Sequence, residues 1–184
     1  VYLSSASVFG SSSELVNVCN PLNPKSFYGI SKMRGEEHVS RLLDKDISTY
    51  IIRCGNVFGY NKSMRFDSVV NRFMFAANFK KLIQINGDGK QHRSFIHVDK
   101  TGDILSRLTV HDLEEGSYDL VEDTLSINFI ADSIKDLYPE LEMIYINQNN
   151  KMRELKVAQD PRIFGLTDIP IRGLIDVLRN FKVN

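Results

Sequence analysis

Hydrophobic and polar positions along the chain follow two alternating periods. VYLSS (1–5) and STYIIRC (48–54) are short runs rich in apolar or β-branched residues, the pattern of buried strands. Between them, after a polar loop holding Pro21 and Pro24, apolar residues recur at helical spacing from about Phe27 to Leu43. Val39, Leu42 and Leu43 lie on one face there, and Lys32, Arg34, Glu36 and Glu37 on a polar one. A second helix is predicted from roughly Asp67 to Phe79, with Val69, Val70, Phe73 and Ala77 as its apolar stripe. LIQIN and SFIHV read as two strands around a turn at Gly87-Asp88-Gly89. A helix from about Asp99 to Thr109, a strand at SYDLV, a helix capped by Ser126 and running to Tyr138, and a strand at EMIYINQ follow. Pro170 is expected to open the last helix from its first turn. Strand and helix alternate throughout, which predicts an α/β fold with a parallel sheet.

Composition narrows the field only a little. The 184 residues are 42% apolar and 25% charged, enough for a domain with a sizeable core. Acids and bases balance at 23 each, which argues against a polyanionic partner such as nucleic acid. No apolar run approaches the ~20 residues that span a bilayer, so no membrane is expected. With no signal-peptide pattern and only Cys19 and Cys54, far apart in sequence, a cytoplasmic location is expected. His92 and His97, five apart on strand-like sequence, would point to opposite faces, and His38 and His111 are isolated. No metal site is expected.

Candidate chemistry begins at SFYGISK (26–32). Tyr28 and Lys32 are one helical turn apart and share a face, either as a catalytic pair or as a solvated polar stripe. Three further stretches lie near them in the predicted order. SSASVFG (4–10) sits at the C-terminal end of the first strand, where open α/β sheets bind ligands. IIRCGNVFG (51–59) ends the next strand, and INGDGKQHRSFIHVD (85–99) follows. Taken together these four resemble the extended short-chain dehydrogenase/reductase family, and within it the NAD-dependent nucleotide-sugar epimerases and dehydratases. The resemblance is strong over residues 1 to 110 and weak beyond.

The resemblance implies the C-terminal part of a Rossmann-like doubly wound parallel sheet plus a small substrate-binding α/β subdomain. Residues 1–60 and 95–122 would form the first, and 61–94 and 123–184 the second. The family's Gly-rich pyrophosphate loop is not found: Gly87-x-Gly89 is followed three positions on by His92, and GDGK lacks P-loop spacing. The chain, opening at Val1 inside a strand, is therefore expected to be a C-terminal fragment. It is expected to be inactive and weakly folded alone, and part of a homodimer when full length.

The resemblance also assigns roles. Ser5, Tyr28 and Lys32 would be catalytic. A phenol of reference pKa ~10 needs cationic neighbours to act as a base near neutrality, and Lys32 supplies one. Ser5 would hold the sugar hydroxyl and shorten the proton's path to Tyr28. Tyr28, Lys32, Cys54 and Gly55 would bind NAD, with NADP the alternative. Ser5, Ser7, Asn56 and Arg93 would bind a nucleotide-diphosphate sugar, Arg93 by a fork of N–H donors. Family dehydratases place acids just after the strand-end hydroxyl residue, where this chain has Ala6-Ser7. Epimerisation through a transient keto-sugar is thus favoured, with a reductase, a 4,6-dehydratase or a non-catalytic binding protein as alternatives. Phe9, Phe27, Tyr60, Asn86, Ser94 and Lys100 depart from the family's usual residues, the last two in ways expected to touch packing.

Overall fold

The computed structural model describes residues 1–181 apart from 46, 109, 148, 151 and 171. Thr109, Gln148 and residues 182–184, which fall within the predicted segments, lie outside the described residues. The chain opens with β1 (Tyr2–Ser5), a short 3-10 turn (Ala6–Phe9) and β2 (Ser12–Val16), then α1 (Phe27–Ser40). Next come β3 (Tyr50–Cys54), β4 (Asn56–Phe58), α2 (Val69–Lys80), β5 (Leu82–Asn86) and β6 (His92–His97). After α3 (Val98–Arg107) follow β7 (Gly116–Leu120), β8 (Asp123–Ser126), α4 (Ile127–Leu137) and β9 (Glu142–Ile146). β10 (Leu155–Val157), α5 (Pro161–Phe164) and α6 (Leu174–Arg179) complete it.

The central sheet is parallel, in the order β1-β3-β7, with Ser4, Arg53 and Asp119 in register across it. Side chains alternate between its faces. On one face Ile52, Tyr118 and Leu120 pack with Ile104 and Leu108 around α3, and with Ile163 of α5. The opposite face meets α1, whose Glu36 reaches Ser4 and Arg53. Helices therefore cover both faces of a parallel sheet, as a doubly wound fold requires. A second core gathers Phe73 and Met74 of α2, Ile130 and Ile134 of α4, Ile83 and Ile85 of β5, and Leu178 of α6. Each such fully buried side chain contributes about 1.5–3 kcal/mol. β4-β6-β8 and β5-β9 border this core, and only β6 with β8 runs antiparallel.

Several expectations need correction. VYLSS is not a buried strand here, since β1 pairs only with β3 and Leu3 is 46% exposed. The strands flanking the Gly87-Asp88-Gly89 turn exist, and both glycines have positive φ, but the strands do not pair with each other. β5 joins β9 and β6 joins β4, because each finds its apolar partner from a distant segment. α1 stops at Ser40 rather than Leu43, and its Glu36, read as part of a solvated face, is 4% exposed. Pro170 does not open the last helix: α6 begins at Leu174 after Gly173, and the proline in a first turn is Pro161, where the Asp160 carboxylate accepts from Arg162 N. Ser94 and Lys100 do serve packing. The Ser94 hydroxyl accepts from Val157 N at 2.9 Å, and Lys100 is buried against Glu122.

Candidate active site

Ser5 ends β1 and starts the 3-10 turn, its Oγ accepting from Ser7 N at 3.2 Å. Ser26 starts α1 in the same way, its Oγ accepting from Gly29 N at 3.1 Å, so Tyr28 is the helix's second residue. Gly29 brings the two together. A Cβ there would lie 2.8 Å from the Ser7 carbonyl oxygen and 2.9 Å from Pro24 Cβ, so only glycine lets the first turn of α1 rest on the segment after Ser5. One turn on, the Lys32 ammonium donates to the Leu3 carbonyl at 2.8 Å and sits 5.9 Å from the Tyr28 ring centroid. The lysine is therefore tied to the strand that carries the serine.

β3 delivers the next group. Cys54 is the register partner of Ser5. Burial pushes its thiol up to about 11 while Lys32 pulls the other way, so it stays protonated and is no nucleophile. A Cβ on Gly55 would lie 2.9 Å from the Ser94 carbonyl oxygen, which is why glycine stands where β3 turns into β4. Asn56 donates through Nδ2 to the same carbonyl at 2.9 Å. Arg93 donates through Nη1 to the Arg153 carbonyl; burial, then the neighbouring Arg153 guanidinium, lowers its pKa, yet an arginine remains charged.

A cavity of about 530 Å³ brings Ser5, Ser7, Tyr28, Cys54, Gly55, Asn56 and Arg93 together. Lys32 is not among its lining residues and reaches it through Tyr28 and Leu3 instead. Sequence reading missed Arg65, Asp67, Arg72 and Gln91, which also line it. Arg65 and Asp67 form an exposed pair at 2.6 Å, which lowers the Asp67 pKa and raises that of Arg65; Tyr28 raises the latter slightly further. Gln91 Oε1 and Ser68 Oγ are buried on the cavity wall with no partner. The signal available in sequence was the pair of arginines bracketing the start of α2 in RFDSVVNR. An adjoining cavity of about 140 Å³ adds Arg153 beside Ser5 and Ser7. A further cavity of about 520 Å³, lined by Tyr60, His97, Lys100 and Glu122, shares no residue with the first. Among the described residues no group of three His, Cys, Asp or Glu is placed to hold a metal ion. His92 instead meets Glu154 at 2.8 Å, and His97 caps α3. No helix of the described residues is long and apolar enough to cross a membrane.

A parallel sheet covered by helices on both faces, with polar groups converging at its strand ends, places the molecule in the Rossmann-like α/β class. Residues 1–120 match the model of the NAD dependent epimerase/dehydratase family, and the chain belongs to that family. Solved structures with the same fold include TunA, an NAD-dependent NDP-hexosamine 5,6-dehydratase involved in tunicamycin biosynthesis (20% identity, 97% of this chain, 60% of that one, TM-score 0.85). The UDP-N-acetylglucosamine 4-epimerase of Methanobrevibacter ruminantium is similar at 20% identity, 98% and 60% coverage and a TM-score of 0.82. The UDP-glucuronic acid 4-epimerase of Bacillus cereus is similar at 22%, 97% and 58%, with a TM-score of 0.81. The chain thus spans about 60% of the length of these proteins.

Proposed function

We propose that the protein is an NAD-dependent epimerase of a nucleotide-diphosphate sugar, working through a transient keto-sugar. The observation that carries this reading is the single cavity in which Ser5, Ser7 and Tyr28 face Arg72 and Arg93. Hydroxyl groups at one wall suit a sugar, and guanidinium groups suit a diphosphate. Ser5 holds the sugar hydroxyl, Tyr28 takes its proton, and the Lys32 ammonium favours the phenolate by its charge. Asn56 and Arg93 hold the diphosphate and Ser7 the sugar. The donor set fits a nicotinamide: a phenol and an ammonium one turn apart on one helix, the phenol sharing its cavity with Cys54 and Gly55. Tyr28, Lys32, Cys54 and Gly55 would hold that end of NAD, or of NADP. When bound, the cofactor supplies hydride acceptance and return.

Epimerisation is preferred to dehydration because an acid is wanting. Ala6 and Ser7 carry no carboxyl, and Asp67, the only carboxylate among the described lining residues, is paired with Arg65 and held ionised. An ionised, paired carboxylate donates no proton to a leaving hydroxyl.

The proposal extends to organisation. Residues 1–60 and 95–122 form the cofactor-binding part, and 61–94 with 123–184 the substrate-binding part. The full-length protein is a cytoplasmic homodimer joined through α1 and the turn after it, with Val39, Leu42 and Leu43, the last 37% exposed, in the seam.

Full-length protein with NAD and UDP-hexoses is the test, with products analysed by mass and NMR. An isomer of unchanged mass is expected. A product lighter by one water would establish a dehydratase, NAD binding without any turnover a non-catalytic member, and, in a parallel incubation with NADH and a keto-sugar nucleotide, a product heavier by two hydrogens a reductase.

A further inference from the structure

The row Ser4, Arg53, Asp119 crosses the central sheet at the position beneath α1, and all three residues are buried. Glu36 descends onto it from the helix. Its Oε1 accepts from Ser4 Oγ at 2.5 Å and from Arg53 Nε at 3.1 Å, and its Oε2 accepts from Arg53 Nη2 at 2.8 Å. Three of these four stand next to a group of the candidate site. Ser4 precedes Ser5, Arg53 precedes Cys54, and Glu36 lies one helical turn beyond Lys32, on the same face. A buried ion pair with bidentate geometry is a stiff link, because breaking it strands a charge away from water. A burial role alone would be served as well by apolar residues.

We propose that Glu36, through Ser4 and Arg53, is a positioning residue that sets the Tyr28–Lys32 face of α1 at its working distance from Ser5. This rests on the reading of Ser5, Tyr28 and Lys32 as the catalytic set. The Lys32 ammonium is held by the Leu3 carbonyl of β1 while the phenol rides on α1, so fixing α1 against β1 and β3 holds the ammonium-to-phenol distance together with the distance to Ser5. The charged groups around the phenol are Lys32 on the same helix, the Arg65–Asp67 pair ahead of α2, and Arg72 and Arg93 in the shared cavity. Loosening the link lets α1 carry the phenol away from the ammonium held at Leu3 and away from Ser5.

The test is the pH dependence of kcat in the full-length protein with NAD and whichever UDP-hexose it turns over. In Glu36→Gln, kcat at pH 7 is expected to fall at least tenfold with KM changed less than threefold, and the acidic limb of the kcat profile to move up by about one pH unit. Ser4→Ala, which removes one hydrogen bond and keeps the ion pair, is expected to move the limb the same way by less, and serves if Glu36→Gln does not fold. An unmoved limb in a folded Glu36→Gln, or in Ser4→Ala where the first fails to fold, overturns the proposal. Tyr28→Phe separates the two readings. If it retains turnover, the catalytic assignment is at fault; if it is inactive while the limb stays put in the Glu36 variant, only the positioning role is lost.

Discussion

Tyr28 is half exposed, on the cavity wall beside Ser5, and its hydroxyl is the group that carries the proposed proton transfer. Tyr28→Phe in the full-length protein is expected to lower kcat by roughly 10²–10⁴-fold. NAD affinity should change little, and both are readable in one titration with product analysis. A second residue, Asp119, tests the buried row from its other end. Neither of its carboxylate oxygens has a partner, and Arg53 Nη1 beside it has none either. Burial pushes its pKa from 3.8 up to about 7; Asp160 and Glu36 add to this, and Arg53 and Arg162 oppose it. The folded protein therefore holds a proton that the unfolded chain releases from about pH 4 upward, so stability falls as pH rises toward 7 and the cost stays complete above it. Asp119→Asn, which cannot ionise, is expected to raise stability at pH 8 by ~1 kcal/mol or more relative to its effect at pH 4. Thermal melts of the full-length protein at the two pH values would show it. An equal effect at both would mean that Asp119 has the same pKa in the folded and unfolded chain.

α1 is the element on which the site depends, and its helical pattern says little about how it packs. Only Gly29 and Glu36 are buried along it, a contact made of a missing side chain and a charge rather than an apolar stripe. Gly29→Ala sets two effects against each other. Helix propensity favours alanine by about 1 kcal/mol, while overpacking typically costs ~1–3 kcal/mol. The clash is with the Ser7 backbone oxygen at 2.8 Å and cannot be relieved by a rotamer change, so overpacking should win. A net loss of ~1 kcal/mol is expected by denaturant melting, together with lower kcat as α1 lifts away from Ser5. Stabilisation by the substitution would show that α1 does not rest on the 3-10 turn.

At the scale of the whole molecule, β1 has one partner in this chain, and its outer side leaves Val1 61% and Leu3 46% exposed. An open strand edge with apolar side chains invites association. On the proposed reading, the residues of this chain that meet the cofactor are those for its nicotinamide end. The 184 residues alone are therefore expected to bind NAD at least about tenfold more weakly than the full-length protein, a difference of ~1.4 kcal/mol. They should also melt with less cooperativity. Equal affinity and an equally sharp melt would mean that this chain carries a complete binding unit.

The α/β alternation, the strands at 50–54 and 116–120 and the Ser126 cap were legible in sequence because each is written within a few neighbouring residues. The candidate set of Ser5, Tyr28 and Lys32 was named from a family resemblance carried by four short stretches, each a local property of the sequence. β2 and β10 were not legible: each is short, and each exists only because the other, some 140 residues away, supplies its hydrogen bonds. The same holds for Glu36, which sequence places on a polar face. Its burial becomes tolerable only when Arg53 and Ser4 arrive from two different strands to satisfy it. Arg65 and Arg72 enter the cavity through the placement of α2 and the segment before it, set by packing of α2 against β5 and α4. Local periodicity reports the period at which a segment buries apolar surface; which charges meet in the interior depends on tertiary contacts between segments far apart in sequence.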